Sequence, residues 1–360
     1  MTKNNRVIWI VAAACIIVGT LISVITLLTL GNDPLQWDTN DYVTNNYTIE
    51  EPFRAIRTEH TISSDLRILP SMDDSCRVMC YDQQKLTHSA AVENGTLVIR
   101  KQDDRRWYDH IGIQLQSTEI LIYLPQREYE SLTVQSSAGD VTVEPEFTFS
   151  TVDILTNTGD IQLSAQVTQA LNISTDTGDT KIEHATPHSL SADSSTGDIA
   201  ILSATVTDGI RIETDTGKVK LSDTQCAHMT MESNTGDIFC QNVNITDLLQ
   251  IETDSGDVAL TDTQCGALLT MTTTGDLTCR AMLVQGHLAI ETDAGDVTFY
   301  DCDAATLSIQ TDTGDVSGSL LSEKLFHIET DTGTVHVPHS TSGGICEIRT
   351  DTGDIELTVK

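Results

Sequence analysis

Aspartates recur in pairs that straddle a glycine along the C-terminal two thirds of the chain. Asp254 and Asp257 flank Gly256, and Asp176/Asp179, Asp293/Asp296, Asp312/Asp315 and Asp351/Asp354 repeat the arrangement. Asp215 keeps the first position while Lys218 occupies the second. Clustered carboxylate oxygens are what Ca2+ selects, so these residues are candidate calcium ligands. Stacked one strand apart, at about 4.8 Å, neighbouring unit charges repel by roughly 1 kcal/mol in water, which a divalent ion relieves. The competing reading is turn chemistry, in which each carboxylate accepts backbone N–H groups of its own turn. The repeat length departs from the nine-residue glycine-rich calcium repeat, which favours turn chemistry and leaves calcium as the alternative.

Other chemistry is thinly represented. Asp-Thr-Gly, the active-site phrase of aspartic proteases, opens at Asp176, Asp215, Asp312, Asp331 and Asp351. One copy per repeat makes a column, whereas the protease needs two facing carboxylates that share a proton. His336-x-x-His339 is a weak zinc pair, and exposed strand histidines explain it as well. No nucleophile elbow or phosphate-cradling loop stands apart from the repeat. A polysaccharide-cleaving site needs bases beside carboxylates and aromatic sugar platforms. From residue 132 onward there are 36 acids, 8 bases, no Trp and one Tyr, Tyr300. An enzyme of that class is therefore only a minor alternative, and no catalytic residue is assigned.

The elements that position the aspartates are set by the glycine spacing. Gly139, Gly159, Gly178, Gly197, Gly217, Gly236, Gly256, Gly275, Gly295, Gly314, Gly333 and Gly353 are separated by 19 or 20 residues throughout. So constant a period means a solenoid of about twelve coils. Apolar residues alternate on both sides of the glycine, as Leu249 and Ile251 before Gly256 and Val258 and Leu260 after it, which is a strand pattern. A third inward position follows nine residues after the glycine (Val206, Cys226, Ile245, Cys265, Val284). The fold predicted is all-β: a parallel β-solenoid over 132–360, preceded by a β-rich capping segment over 50–131. Glycine supplies positive φ at the corner. Thr or Ser three residues earlier (Thr175, Thr214, Thr253) stacks as a hydroxyl ladder. Lys218 and Thr334 interrupt the aspartate that follows the glycine.

Composition sets the address. With 53 acids against 20 bases and a net charge of −33, the chain is repelled by phosphate backbones, which excludes nucleic-acid partners. Val7 to Leu30 carries no charge and is long enough to span a bilayer, and Lys3 and Arg6 before it keep residues 1–6 cytoplasmic. Residues 31–49 are a spacer. The chain is thus expected to be a single-pass membrane protein, uncleaved, with its C-terminal region extracytoplasmic; a cleaved signal peptide is the rival reading. Cys76 and Cys80 either pair locally or stand unpaired on a strand. Arg100-Lys101 and Arg105-Arg106-Trp107-Tyr108 form a basic cluster, read as a solvated hairpin loop or as a contact to lipid head groups or an anionic polymer. The last coil, ending at Ile355–Lys360, has no evident cap and is expected to expose an edge open to self-association.

The strands from Phe53 to Pro125, with Glu93-Asn-Gly-Thr-Leu-Val-Ile99, and the Ile-Glu-Thr-Asp-Thr-Gly-Asp-Val phrases resemble the bacterial "putative adhesin" family, a domain of unknown function with β-strand repeats. The resemblance covers most of residues 50–360. It implies a membrane-anchored cell-envelope protein, similar in some cases to accessory proteins of envelope-stress operons, and it carries no catalytic residues or cofactor to transfer. The expected function is a non-catalytic extracytoplasmic rod that presents an acidic surface to a cell-envelope component. The alternative is an accessory component of envelope-stress signalling that binds a membrane protein.

Overall fold

A computed structural model describes residues 15–22, 24, 42–59, 62–107 and 118–360. Residues 15–22 are helical; no helix among the described residues is long and apolar enough to cross a membrane. Most of the 7–30 run expected to do so lies outside them, as does Tyr108.

Apart from three antiparallel strands at one end, the remainder is one parallel β-solenoid whose twelve corner glycines bound eleven full turns. Each rung places one strand before the glycine and one after it, and both pair in register with the rung above and below. Gly209–Thr216 thus pairs with Ser189–Thr196 on one side and His228–Thr235 on the other, while Val219–Cys226 continues the second sheet. The period-2 alternation sends every other side chain inward. The inward residues then stack on their equivalents, giving columns such as Ile154–Ile173–Ala192–Ile212–Met231–Ile251. All six of these are at most 1% exposed. The third inward position is buried as expected. A further buried column two residues ahead of it, through Ala204, Thr224, Val243, Thr263 and Met282, escaped the sequence pattern because its residues mix apolar and polar types.

Two forces fix glycine at the corner. At Gly159 φ is +136°, and an added Cβ would lie 2.3 Å from the carbonyl oxygen of Gly139 one rung away. Gly295 and Gly353 lie outside the left-handed range, yet a Cβ there would still meet the neighbouring glycine carbonyl at 2.0 Å. Close stacking of rungs is therefore the general constraint, and positive φ a local one. The second corner, six residues after the glycine, also turns through positive φ, using Asp223, Asn242, Asp262 and Asp301 and, in three rungs, His184, Ser203 and Ala281. Asp and Asn are the side chains that tolerate that region best.

Chain order and spatial order part company at both ends. Ala55–Glu59 and Asp65–Pro70 form an inner rung that pairs with Glu128–Ser136 and Val141–Val143. The later strands Thr96–Asp103 and Glu119–Leu124 stack outside it. Three antiparallel strands, Tyr42–Ile49, Cys76–Gln83 and Leu86–Glu93, then close that end. At the other end the final strands, Gly344–Thr352 and Ile355–Val359, insert between the rung at Val297–Leu320 and the rung at Lys324–His336. The expectation that the last coil is the exposed edge is therefore corrected in part: Ile355–Val359 pairs along its whole length with Val316–Leu320, Val335–His336 covers Ile355 and Glu356 on its other side, and Lys324–His336 is the terminal rung. An ion pair from the buried Lys324, Nζ to Asp303 Oδ1 at 2.6 Å, ties that outer rung past the inserted one.

Cys76 and Cys80 lie on the same strand, four residues and roughly 13 Å apart, so no disulfide joins them. All nine cysteines are free, and eight are buried. Burial pushes the thiols of Cys76, Cys80, Cys226, Cys265 and Cys346 up to about 12, which leaves them inert packing residues.

Candidate functional site

The aspartate that follows each corner glycine forms a ladder along the rod. Asp160 N–H donates to Asp140 Oδ1 at 2.9 Å, Asp179 N–H to Asp160 and Asp198 N–H to Asp179, each at 2.8 Å. The pattern resumes from Asp237 through Asp257, Asp276, Asp296 and Asp315 to Asp354, whose N–H donates to Asp315 Oδ1 at 2.7 Å. The carboxylates were expected to accept N–H groups of their own turns. They accept instead from the adjacent rung, so each one joins two coils. Asp65, in the inner rung of the cap, starts the ladder by accepting from Asp140 N–H at 3.0 Å. The sequence hid it because Ser63-Ser64 stands where the other rungs have Thr-Gly.

Both departures from the motif have structural consequences. Lys218 offers its N–H to Asp198 but no acceptor to the next rung; its Nζ donates to Asp237 Oδ2 at 3.0 Å instead. That hydrogen bond and charge hold the Asp237 carboxyl below its ordinary value. Thr334 ends the ladder, donating both its N–H (2.7 Å) and its hydroxyl (2.9 Å) to Asp354 Oδ1, which lowers the Asp354 carboxyl too.

The column two residues before the glycine is exposed and patterned by charge. In spatial order it runs Asn157, Asp176, Ser195, Asp215, Asn234, Asp254, Thr273, Asp293, Asp312, Asp351 and Asp331. Up to Asp293 each carboxylate is separated from the next by a neutral residue. Charges then sit about 9.6 Å apart, which halves their repulsion relative to adjacent rungs. Asn234 Nδ2 donates to Asp215 Oδ1 at 3.0 Å within this series. From Asp293 to Asp331 four carboxylates follow on successive rungs without relief.

A third column, four residues before the glycine, adds Asp193, Glu213, Glu232, Glu252 and Glu291 to the same face. Together these residues line a shallow groove, with Asp176, Asp193, Glu213, Asp215 and Glu232 on its walls. Arg211 pairs with Glu213 and, at 3.4 Å, with Glu232. Burial pushes the half-buried Asp193 carboxyl up, against the pull of Arg211. Of the aspartates singled out by sequence, Asp179, Asp257, Asp296, Asp315 and Asp354 lie in the hydrogen-bonded ladder. Asp176, Asp215, Asp254, Asp293, Asp312 and Asp351 lie in the exposed column. Among the described residues, no group of three or more His, Cys, Asp or Glu is arranged to hold a metal ion.

The Ser/Thr column stacks as expected, in register from Thr156 to Thr350. It is not a hydrogen-bonded ladder, however. The hydroxyls of Thr175, Ser194, Thr214, Ser233 and Thr253 are buried with no protein partner, since one rung spacing exceeds hydrogen-bond reach.

In the cap, sequence reasoning missed a buried polar cluster. Asp82 and His88 are fully buried, with Asp82 accepting from His88 Nδ1 (2.7 Å), His88 N–H (2.8 Å) and Asn45 Nδ2 (3.1 Å). Tyr47 Oη donates to the His88 carbonyl at 2.9 Å, so the first strand is fastened to the hairpin beneath it. The six-residue Asp82–His88 separation across a tight hairpin was the one available signal. The basic cluster is matched by acids: Arg100 pairs with Glu59 at 2.7 Å and with Glu93, and Arg105 pairs with Asp103 at 2.7 Å.

No curated protein matches the sequence. Solved structures similar to it include a "putative adhesin" from Bacteroides fragilis, at 13% identity and a TM-score of 0.31, covering 89% of this chain and 99% of that one. Another "putative adhesin", from Parabacteroides distasonis, has 12% identity and a TM-score of 0.34 over 89% and 98% of the two chains. A "putative lipid binding protein" from the same organism has 13% identity and a TM-score of 0.30 over 89% and 98%. Likenesses this distant do not bear on function. The Toastrack DUF4097 family model matches residues 53–209 and again 183–358, spanning both the cap and the rod. The chain therefore belongs to the Toastrack DUF4097 family.

Proposed function

We propose that this protein is a non-catalytic, adhesin-like rod of the bacterial cell envelope, anchored in the membrane near its N-terminus and exposing the solenoid on the extracytoplasmic side. The observation that carries the reading is the acidic face of the first strands, where three in-register columns set carboxylates at fixed intervals on a rigid stack. Such a surface fits an extended partner with regularly spaced cationic groups, or an anionic envelope polymer bridged through Ca2+. The groove walled by Asp176, Asp193, Glu213, Asp215 and Glu232 on this face is shallow and acidic. The exposed apolar side chains of the helical stretch at 15–22, among them Ile16, Val18 and Leu21, support the anchor. Lys3 and Arg6 support the orientation.

The test is the binding of vesicles that carry the full chain to isolated envelopes from cells lacking it, with calcium and then with chelator. Saturable binding that Asp176→Asn, Asp215→Asn and Asp254→Asn together reduce at least tenfold is the expected result. Loss on chelation adds Ca2+ as the bridge. Absence of binding in both conditions overturns the envelope-ligand reading in favour of a membrane protein partner.

A further inference from the structure

The two ends of the rod are unlike, and the open one has a pairing surface of its own. Lys324–Thr332 is hydrogen-bonded to Gly344–Thr352 on one side only, and Val335–His336 only to Ile355–Val359. Their outer edges carry unpaired backbone groups. Phe326, Ile328 and Val337, which occupy core columns, are only half-buried there, and Val335 is 43% exposed. Val335–His336 is short and is followed by Pro338, which blunts that half of the edge. The nine-residue Lys324–Thr332 strand has no such guard.

We infer that this edge pairs antiparallel with the same edge of a second copy, joining two rods tail to tail about a two-fold axis at Ile328. The inference extends the adhesin reading and rests on it for the two membranes involved. Three observations select the occupant. Outward side chains along the strand run Leu325, His327, Glu329 and Asp331, so a two-fold at Ile328 sets His327 of each copy opposite Glu329 of the other, whose Oε2 is held by Arg349 of the adjacent strand. Ile328 then meets Ile328 on the inner face, covering the half-buried end of the core. The acidic corners move apart: Asp331 of one copy lies six residues, roughly 20 Å, from its equivalent, beyond the Debye length of about 8 Å. Parallel head-to-tail stacking would align the carboxylate columns, and the antiparallel strands that close the N-terminal end interrupt it.

The contact is isologous and therefore closes at two copies. Tyr42–Ile49 lies at the far end of each rod, on the order of 70 Å from the contact at about 4.8 Å per strand. The two anchors would face away from each other, so the pair bridges two membranes.

Full-length protein in detergent is measured by sedimentation equilibrium, and the same protein in phosphatidylglycerol–phosphatidylethanolamine vesicles by vesicle clustering. A dimer is expected, with vesicles clustering. His327→Glu is expected to weaken homotypic pairing at least tenfold by opposing two acids. Glu329→His weakens it as well. Vesicles bearing H327E should cluster with vesicles bearing E329H, because that mixture restores both acid–histidine pairs. Circular dichroism of both variants should match the parent, and their thermal midpoints should stay close to it, since His327 is exposed and the Arg349–Glu329 pair that E329H removes is an exposed one worth less than about 1 kcal/mol. A monomer up to roughly 100 µM, or a dimer that H327E leaves unchanged, overturns the inference. So does a mixture that fails to cluster. Failure of the envelope-binding assay leaves this result untouched, because those envelopes lack the chain.

Discussion

The N-terminal and C-terminal ends of this rod meet the same difficulty and resolve it differently. A stack of parallel rungs exposes an apolar core and an unpaired edge wherever it stops. At the N-terminal end three antiparallel strands cross over the stack, and Ile120, Ile122 and Leu97 beneath them are fully buried. At the C-terminal end the rung at Lys324–His336 is the last layer, and its core residues stay partly open. Both ends nonetheless share a device: an inner rung (Ala55–Pro70 at one end, Gly344–Val359 at the other) is covered by a rung nearer the middle of the sequence. A rung covered in this way cannot fray unless its cover leaves first. The difference teaches that protection of the terminus and closure of the core are separable, and that only the N-terminal end has both.

The comparison can be broken at the closed end with the largest effect. Asp82→Ala leaves two buried donors of His88 and the half-buried Asn45 amide without their acceptor, which is expected to cost about 3–5 kcal/mol. A denaturant midpoint that moves by less than a fifth of that would mean the polar cluster does not hold the cap. At the open end, Lys324→Met removes the tie to Asp303 and is expected to cost about 1–3 kcal/mol. The loss should be local: amide exchange should quicken in Lys324–His336 while the midpoint of the rod hardly moves. Equal quickening throughout would show the ends to be one cooperative unit.

Acid sharpens the same contrast. Burial tends to raise the Asp303 carboxyl, but hydrogen bonds from Lys324 and Ser322 and the lysine charge hold it below its ordinary value. Its contribution is therefore complete above about pH 4 and is lost as the pH falls through the lowered native value. Amide exchange in the terminal rung should begin to rise there, ahead of the midpoint of the rod. A terminal rung that outlasts the rod in acid would contradict the assignment. The smallest effect belongs to the middle of the rod. Lys218→Asp should complete the aspartate ladder to Asp237 N–H and change stability by less than about 1 kcal/mol. The change is small because the new hydrogen bond is exposed and the Lys218–Asp237 pair is lost.

Much of this arrangement was legible in the residues. The 19- or 20-residue glycine period, with alternating apolar residues on either side, specified a parallel solenoid because only in-register stacking buries those positions. The paired aspartates were legible as columns for the same reason. Their bonding was not: whether Asp160 Oδ1 meets its own turn or the next rung depends on a spacing between coils that no local pattern contains. The alternation of Asp176, Ser195, Asp215 and Asn234 acquires meaning only once those residues are neighbours. Asp65 and the Asp82–His88 cluster lie outside the repeat, so periodicity could not reveal them.

The sequence by itself determined the repeat unit, its inward and outward faces and the acidity of its surface, because these follow from the local alternation of side chains and from composition. Only the tertiary structure decided the order of rungs at the two ends, because connections of a few residues can reach the next layer or pass over it. The choice rests on contacts between distant segments: the Lys324–Asp303 tie, and the pairing of the last strands with rungs on both sides. That choice made Lys324–His336, rather than the last strands, the outermost rung, and with it the surface on which a second copy can act.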